Sequence, residues 1–180
     1  MRRFVGVLTL GILIGAAGTA WAAVTATPKT QDVSASFDLS PTGYTAKTCT
    51  GRDGTYNNSE LSASGPLTSS TPALNGTLAV DVTVLVNQST GDGTVRGTVT
   101  LTSGAKTYHG TLIGVADNHS GTASGEQLKG LMTGSVKGGR LLGTFSAILN
   151  TRTGHVTGDL GGDTAAVTED LAVIQGGSCA

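Results

Sequence analysis

Three histidines, two cysteines, three tyrosines and twelve scattered acids are the residues of this 180-residue chain from which a reactive site can be built. His119 lies in Asp117-Asn118-His119-Ser120-Gly121, the single place where an acid, an imidazole and a hydroxyl crowd together. An acyl-transfer triad needs nucleophile, base and orienter to converge from separate elements. Five consecutive residues of this composition are turn formers instead. His109 sits beside Gly110 and shares a strand face with Thr107 and Thr111, which reads as an exterior position. His155 follows Thr153-Gly154 and opens a strand at the surface.

Metal chemistry fares no better. Asp117 with His119, or Asp159 with Asp163 around a Gly pair, each lacks the ligand number and spacing of a zinc or calcium site. No nucleophile elbow, phosphate loop, dinucleotide fingerprint or His-Glu-x-x-His occurs. The acids fall in turns and on outer faces, so no carboxylate pair for glycoside chemistry stands out. Asp81 is the one acid inside a strongly apolar strand, and its alternation puts it on the outer face. No catalytic residue, metal or cofactor is therefore expected. The polar side chains best placed to line a ligand pocket are Tyr44, Tyr56, Tyr108 and His109.

The N-terminus sets the compartment. Arg2 and Arg3, the apolar run from Phe4 to Ala17 and the small-x-small Ala20-Trp21-Ala22 read as a cleaved secretory signal over residues 1–22. The apolar run is short and broken by glycines, which argues against a retained membrane anchor. A secreted protein, extracellular or periplasmic, is expected. Without Arg2 and Arg3, nine Lys and Arg stand against twelve Asp and Glu, a net of −3 with no like-charge run. Nucleic acid is thus excluded as a partner, and so is a membrane after signal cleavage. In an oxidising compartment Cys49 and Cys179 are expected to form a disulfide, closing a loop worth on the order of 4–5 kcal/mol by chain entropy.

The elements that must position these residues are strands. From Gly93 to Leu160 the motif apolar-x-Gly-x-apolar recurs five times, centred on Gly97, Gly110, Gly130, Gly143 and Gly158, with a sixth at Gly76. Period two places each Gly mid-strand on the apolar face. Gly in a strand interior costs roughly 0.5–1 kcal/mol relative to Ala, so six of them must secure a geometry, either sharp coiling or close backbone approach.

In chain order, residues 23–31 read as a flexible arm and 32–180 as a single domain. Strands are predicted from Val33 to Leu39, Tyr44 to Thr50 and Thr55 to Ala63, with a turn at Pro41-Thr42-Gly43. Gly65 to Ala73 reads as a long rim loop or lid. Leu78, Val80, Val82, Val84 and Val86 share one face of the clearest strand. Further strands are predicted at 94–102, 106–116, 126–137, 140–150, 155–160 and 165–174, joined by hairpin-length turns. Residues 93–117 align on 126–150 without gaps, the mark of two similar hairpins side by side.

These strands predict one antiparallel sheet of eight to ten strands closed into a small barrel; a two-sheet β-sandwich is the alternative. In fold alone it resembles the small barrels of the calycins and of the allene oxide cyclase and dirigent group, a resemblance that carries no site residues. Two functions are compatible with such a barrel. One is a non-enzymatic, exported binding or surface-associated protein that takes a small apolar ligand or another surface protein. The other is a barrel isomerase or cyclase confining a small apolar substrate.

Overall fold

The computed structural model describes residues 33–118, 125–136 and 139–161. These belong to the unit Gln31–Ala180, one of two into which the chain divides. The proposed signal (1–22), the arm (23–31), His119, the last predicted strand (165–174) and Cys179 lie outside the described residues.

Eight strands follow one another: β1 (Ala35–Thr50), β2 (Thr55–Ser69), β3 (Gly76–Asn87), β4 (Asp92–Ser103), β5 (Lys106–Asp117), β6 (Gly125–Val136), β7 (Gly139–Asn150) and β8 (Val156–Gly161). Each pairs antiparallel with the next, and β8 pairs back onto β1 from Ala35↔Leu160 to Leu39↔Val156. That last ladder closes the barrel and removes the sandwich alternative.

The register fixes the size of the barrel. A row of cross-strand partners runs Ala46, Ser59, Val84, Val95, Gly114, Gly130, Phe145, Leu160 and returns to β1 at Ala35. It comes back eleven positions from its start, one of them the bulge residue Thr42, which gives a shear of ten. Eight strands at this shear tilt by about 43° and enclose a Cα cylinder of radius about 8 Å. An interior that narrow is one that side chains can fill.

They do fill it. Phe37, Leu39, Leu61, Leu78, Val82, Val84, Val95, Leu112, Met132, Phe145 and Leu149 belong to one continuous buried cluster. The motif glycines lie on this inward face without positive φ, which among the described residues is found at Gly54, Gly91, Gly104 and Gly154. Their role is steric. A Cβ on Gly97 would strike the Asp81 carbonyl oxygen, and one on Gly130 the Ile113 carbonyl oxygen. On β5 and β6 glycines face each other twice, at Gly110↔Gly134 and Gly114↔Gly130. The β4–β5 and β6–β7 hairpins lie side by side, joined by this β5–β6 ladder.

Two predicted boundaries need correction. Pro41-Thr42-Gly43 is no turn: β1 runs through it as a bulge, with Pro41↔Ala63 followed by Gly43↔Ser62. A bulge tolerates the N–H that Pro lacks, and the unpaired Thr42 donates its hydroxyl to the Ser62 carbonyl at 3.1 Å. Likewise Gly65–Ser69 is strand, Gly65 pairing with Leu78 and Pro66 with Thr77. Pro66 fits because the β1 ladder lapses between Phe37↔Leu67 and Ser40↔Ser64. What remains of the lid is the 3-10 turn Pro72–Leu74, with Leu74 packed on the core. The Ser103 hydroxyl lies 2.8 Å from the Ala73 carbonyl and 2.7 Å from that of Asn75, which holds the turn at this end of the barrel.

Candidate functional site

The barrel offers an inside and an outside, and they differ sharply. The inside space, lined by Phe37, Leu61, Val95, Met132, Phe145 and their apolar neighbours, amounts to about 40 Å³. Small-molecule sites run to about 300–1,000 Å³, so this space is far short of what a lipid, pigment or cyclisable substrate needs in this conformation.

None of the four pocket candidates lines this inner space, but Tyr44 is among the residues that line a groove on the outside of the barrel. Tyr44 follows the bulge, which turns it toward Leu61, and it packs partly buried on the core edge. Its hydroxyl donates to the Thr151 carbonyl at 2.9 Å, fastening the β7–β8 turn to β1. Tyr56 is 2 % exposed and donates its hydroxyl to Asp53 Oδ1 at 2.7 Å. That bond to a carboxylate keeps the phenol proton in place and raises its pKa above the usual 10.0. Tyr108, opposite Leu101, is half-buried against the core. His109 is exposed, its Nδ1 at 3.4 Å from Thr100 Oγ1, the exterior position read from its neighbours. These side chains are dispersed over β1, β2 and β5 and do not converge.

The remaining titratable groups are as scattered. His155 Nε2 lies 2.7 Å from Asp38 Oδ1 in an exposed pair linking β8 to β1. Among the described residues no three of His, Cys, Asp and Glu come together as a metal site.

One acid departs from the sequence reading. Glu126 shares the inward parity of Leu128, Gly130 and Met132, stands opposite Leu149 and is 2 % exposed. Among the described residues its Oε2 has no hydrogen-bond partner, and burial pushes its carboxyl pKa up from 4.5. Alternation counted back from Leu128 would have found it; scanning for paired acids did not.

The outside carries a concave groove of about 840 Å³ crossing β1 to β5. Thr45, Glu60, Asp81, Arg96, Thr98 and Ile113 are among the residues that line it. Cross-strand register puts them in two adjacent rows: Thr45–Glu60–Thr83–Arg96–Ile113 and Gly43–Ser62–Asp81–Thr98–Thr111. Ser62 donates to Asp81 Oδ1 at 2.5 Å, and Lys47 pairs with Glu60 at 3.5 Å. Asp81 does face outward, as its alternation requires. The groove thus presents carboxylates, hydroxyls, one guanidinium and an exposed Ile to solvent.

No family model, no curated protein and no solved structure matches the chain.

Proposed function

We propose that this chain is an exported, non-enzymatic binding protein whose recognition surface is the outside of the barrel, in contact with a surface component or another protein. The observation that carries this reading is the contrast in room: about 40 Å³ inside against about 840 Å³ in the outer groove. Small-molecule sites are concave spaces of about 300–1,000 Å³. The groove has that volume but is wide open and mixed in lining, apolar residues such as Ile113 standing beside Glu60, Asp81 and Arg96, which suits a mixed partner surface more than an enclosed small molecule. The export signal at 1–22 and a Cys49–Cys179 bridge belong to the same proposal.

Calorimetric titration with saturated fatty acids of twelve to eighteen carbons tests it. The reading expects no saturable heat with the wild-type chain. Phe145→Ala, which opens the interior, is expected to gain uptake. Stoichiometric binding by the wild type would return the interior to the centre of the function.

A further inference from the structure

The outer groove changes character from strand to strand. Its acids stand on β2 and β3 as Glu60 and Asp81, its guanidinium on β4 as Arg96, and its exposed apolar side chain on β5 as Ile113. Arg96 and Ile113 are direct cross-strand partners, and Ile113 is in turn the partner of Leu131 on β6. Ile113 is 66 % and Leu131 39 % exposed. One row of partners thus carries a guanidinium and then two exposed apolar side chains, spaced about 5 Å from strand to strand.

The charges around this row are engaged or distant, and Arg96 itself is neither. Glu60 pairs with Lys47 at 3.5 Å. Asp92 and Asp117 also face outward, but they lie four residues along their strands from Arg96 and Ile113. That is about 13 Å, beyond the screening length of about 8 Å at physiological salt. Lys129, two residues from Leu131 on β6, adds positive charge on the apolar side. Asp81 is the nearest acid, diagonal to Arg96 through Thr83↔Arg96 and Asp81↔Thr98, yet it is held by the Ser62 hydroxyl and the two do not pair. Among the described residues Arg96 makes neither an ion pair nor a side-chain hydrogen bond.

We infer that the partner in this groove is a protein segment that sets a carboxylate on Arg96, an apolar side chain on Ile113 and Leu131, and a cation on the Asp81 side. The inference rests on the outer-groove reading above and adds the chemistry of the occupant. A guanidinium is a rigid fork of donors that matches a carboxylate in bidentate fashion, and an unpaired one fixes the register of the segment that supplies it. Arginine beside apolar surface that a partner can cover is the composition of an interface hot spot. A glycan fits less well. Among the described residues that line the groove Tyr44 is the only aromatic, and its hydroxyl is committed to Thr151. A saccharide would have that one ring to stack on and would leave Ile113 and Leu131 in water.

Selection from a phage-displayed library of random dodecapeptides on the immobilised chain tests the inference, with dextran as the glycan probe. The expected result is enrichment of sequences in which Asp or Glu stands between an apolar residue and Lys or Arg, while dextran is not retained. Arg96→Ala and Ile113→Ser should each weaken the enriched peptides roughly tenfold or more, the scale of an interface hot spot, while the far-ultraviolet circular dichroism stays that of the barrel. Selection on Arg96→Glu should enrich Lys or Arg where the wild type enriched the acid. Peptides without an acid that Ile113→Ser still weakens would overturn the inference and leave the outer surface as the recognition site. Peptides indifferent to both substitutions would overturn the inference and the groove reading together. Dextran retained with no peptide enriched would assign the groove to a glycan and overturn the inference, as would no enrichment at all.

Discussion

Gly130 and Phe145 face each other across β6 and β7, and Phe145 Cε1 lies 2.8 Å from where a Cβ on Gly130 would stand. The ring occupies the room that the glycine leaves, covering a backbone stretch that has no side chain of its own. Phe37 is likewise the cross-strand partner of Gly158 on β8, though there the atoms nearest an added Cβ belong to Ser146 and Ala147. Each of the described phenylalanines is thus opposite a motif glycine, and the two pairs anchor a core within a narrow cylinder.

The glycines are not equivalent. Gly130→Ala must displace both the Ile113 carbonyl and the Phe145 ring, and is expected to destabilise by about 1–3 kcal/mol or more, as overpacking does. Gly134→Ala meets nothing nearer than Leu141 Cβ at 3.6 Å. Its φ is not positive, so it is expected to be neutral or to stabilise by about 0.5–1 kcal/mol. Urea midpoints of the two variants check the contrast.

Tyr44→Phe deletes the hydroxyl that donates to Thr151 and leaves the ring on the core edge. A loss of about 0.5–1.5 kcal/mol is expected, the net worth of one such bond. Amide exchange should quicken first in the Thr151–Gly154 turn.

How much of this was legible beforehand depends on the residue. Alternation alone placed the β3 valines, the motif glycines and Asp81, because a strand's period of two is a local property. The bulge at Thr42 was not legible: Pro-Thr-Gly is turn chemistry, and only the ladder to β2 shows the chain continuing straight. Gly65 and Pro66 misled for the same reason. Tyr44, Tyr56, Tyr108 and His109 stand out by residue type, and type says nothing of convergence. The closure register, and with it the lack of interior room, depends on pairing between β1 and β8 at opposite ends of the described chain.

Glu126 makes stability depend on pH with a definite sign. Its folded pKa is raised above the usual 4.5, so the native state binds the proton more tightly than the unfolded chain. Its contribution is fully present below 4.5 and is lost as pH rises through the folded value. Wild-type stability should therefore include a component that grows as pH falls from neutral toward 4.5, and Glu126→Gln should remove it. Thermal midpoints of the two proteins should converge at low pH, with the variant higher at neutral pH.

A bridge between Cys49 and Cys179 would add two hydrogens to the mass of the intact chain on reduction. The expected spectrum shows that gain and no thiol-reactive cysteine beforehand. Blocking both cysteines with a thiol reagent before reduction would contradict it.

Pressure unfolding tests the filled interior most directly, because the volume lost on unfolding scales with internal void. The wild-type chain is expected near the low end of the usual range, about −20 to −40 mL/mol, with Phe145→Ala clearly more negative. A wild-type value near −100 mL/mol that Phe145→Ala leaves unchanged would mean a hollow barrel, and would contradict the account.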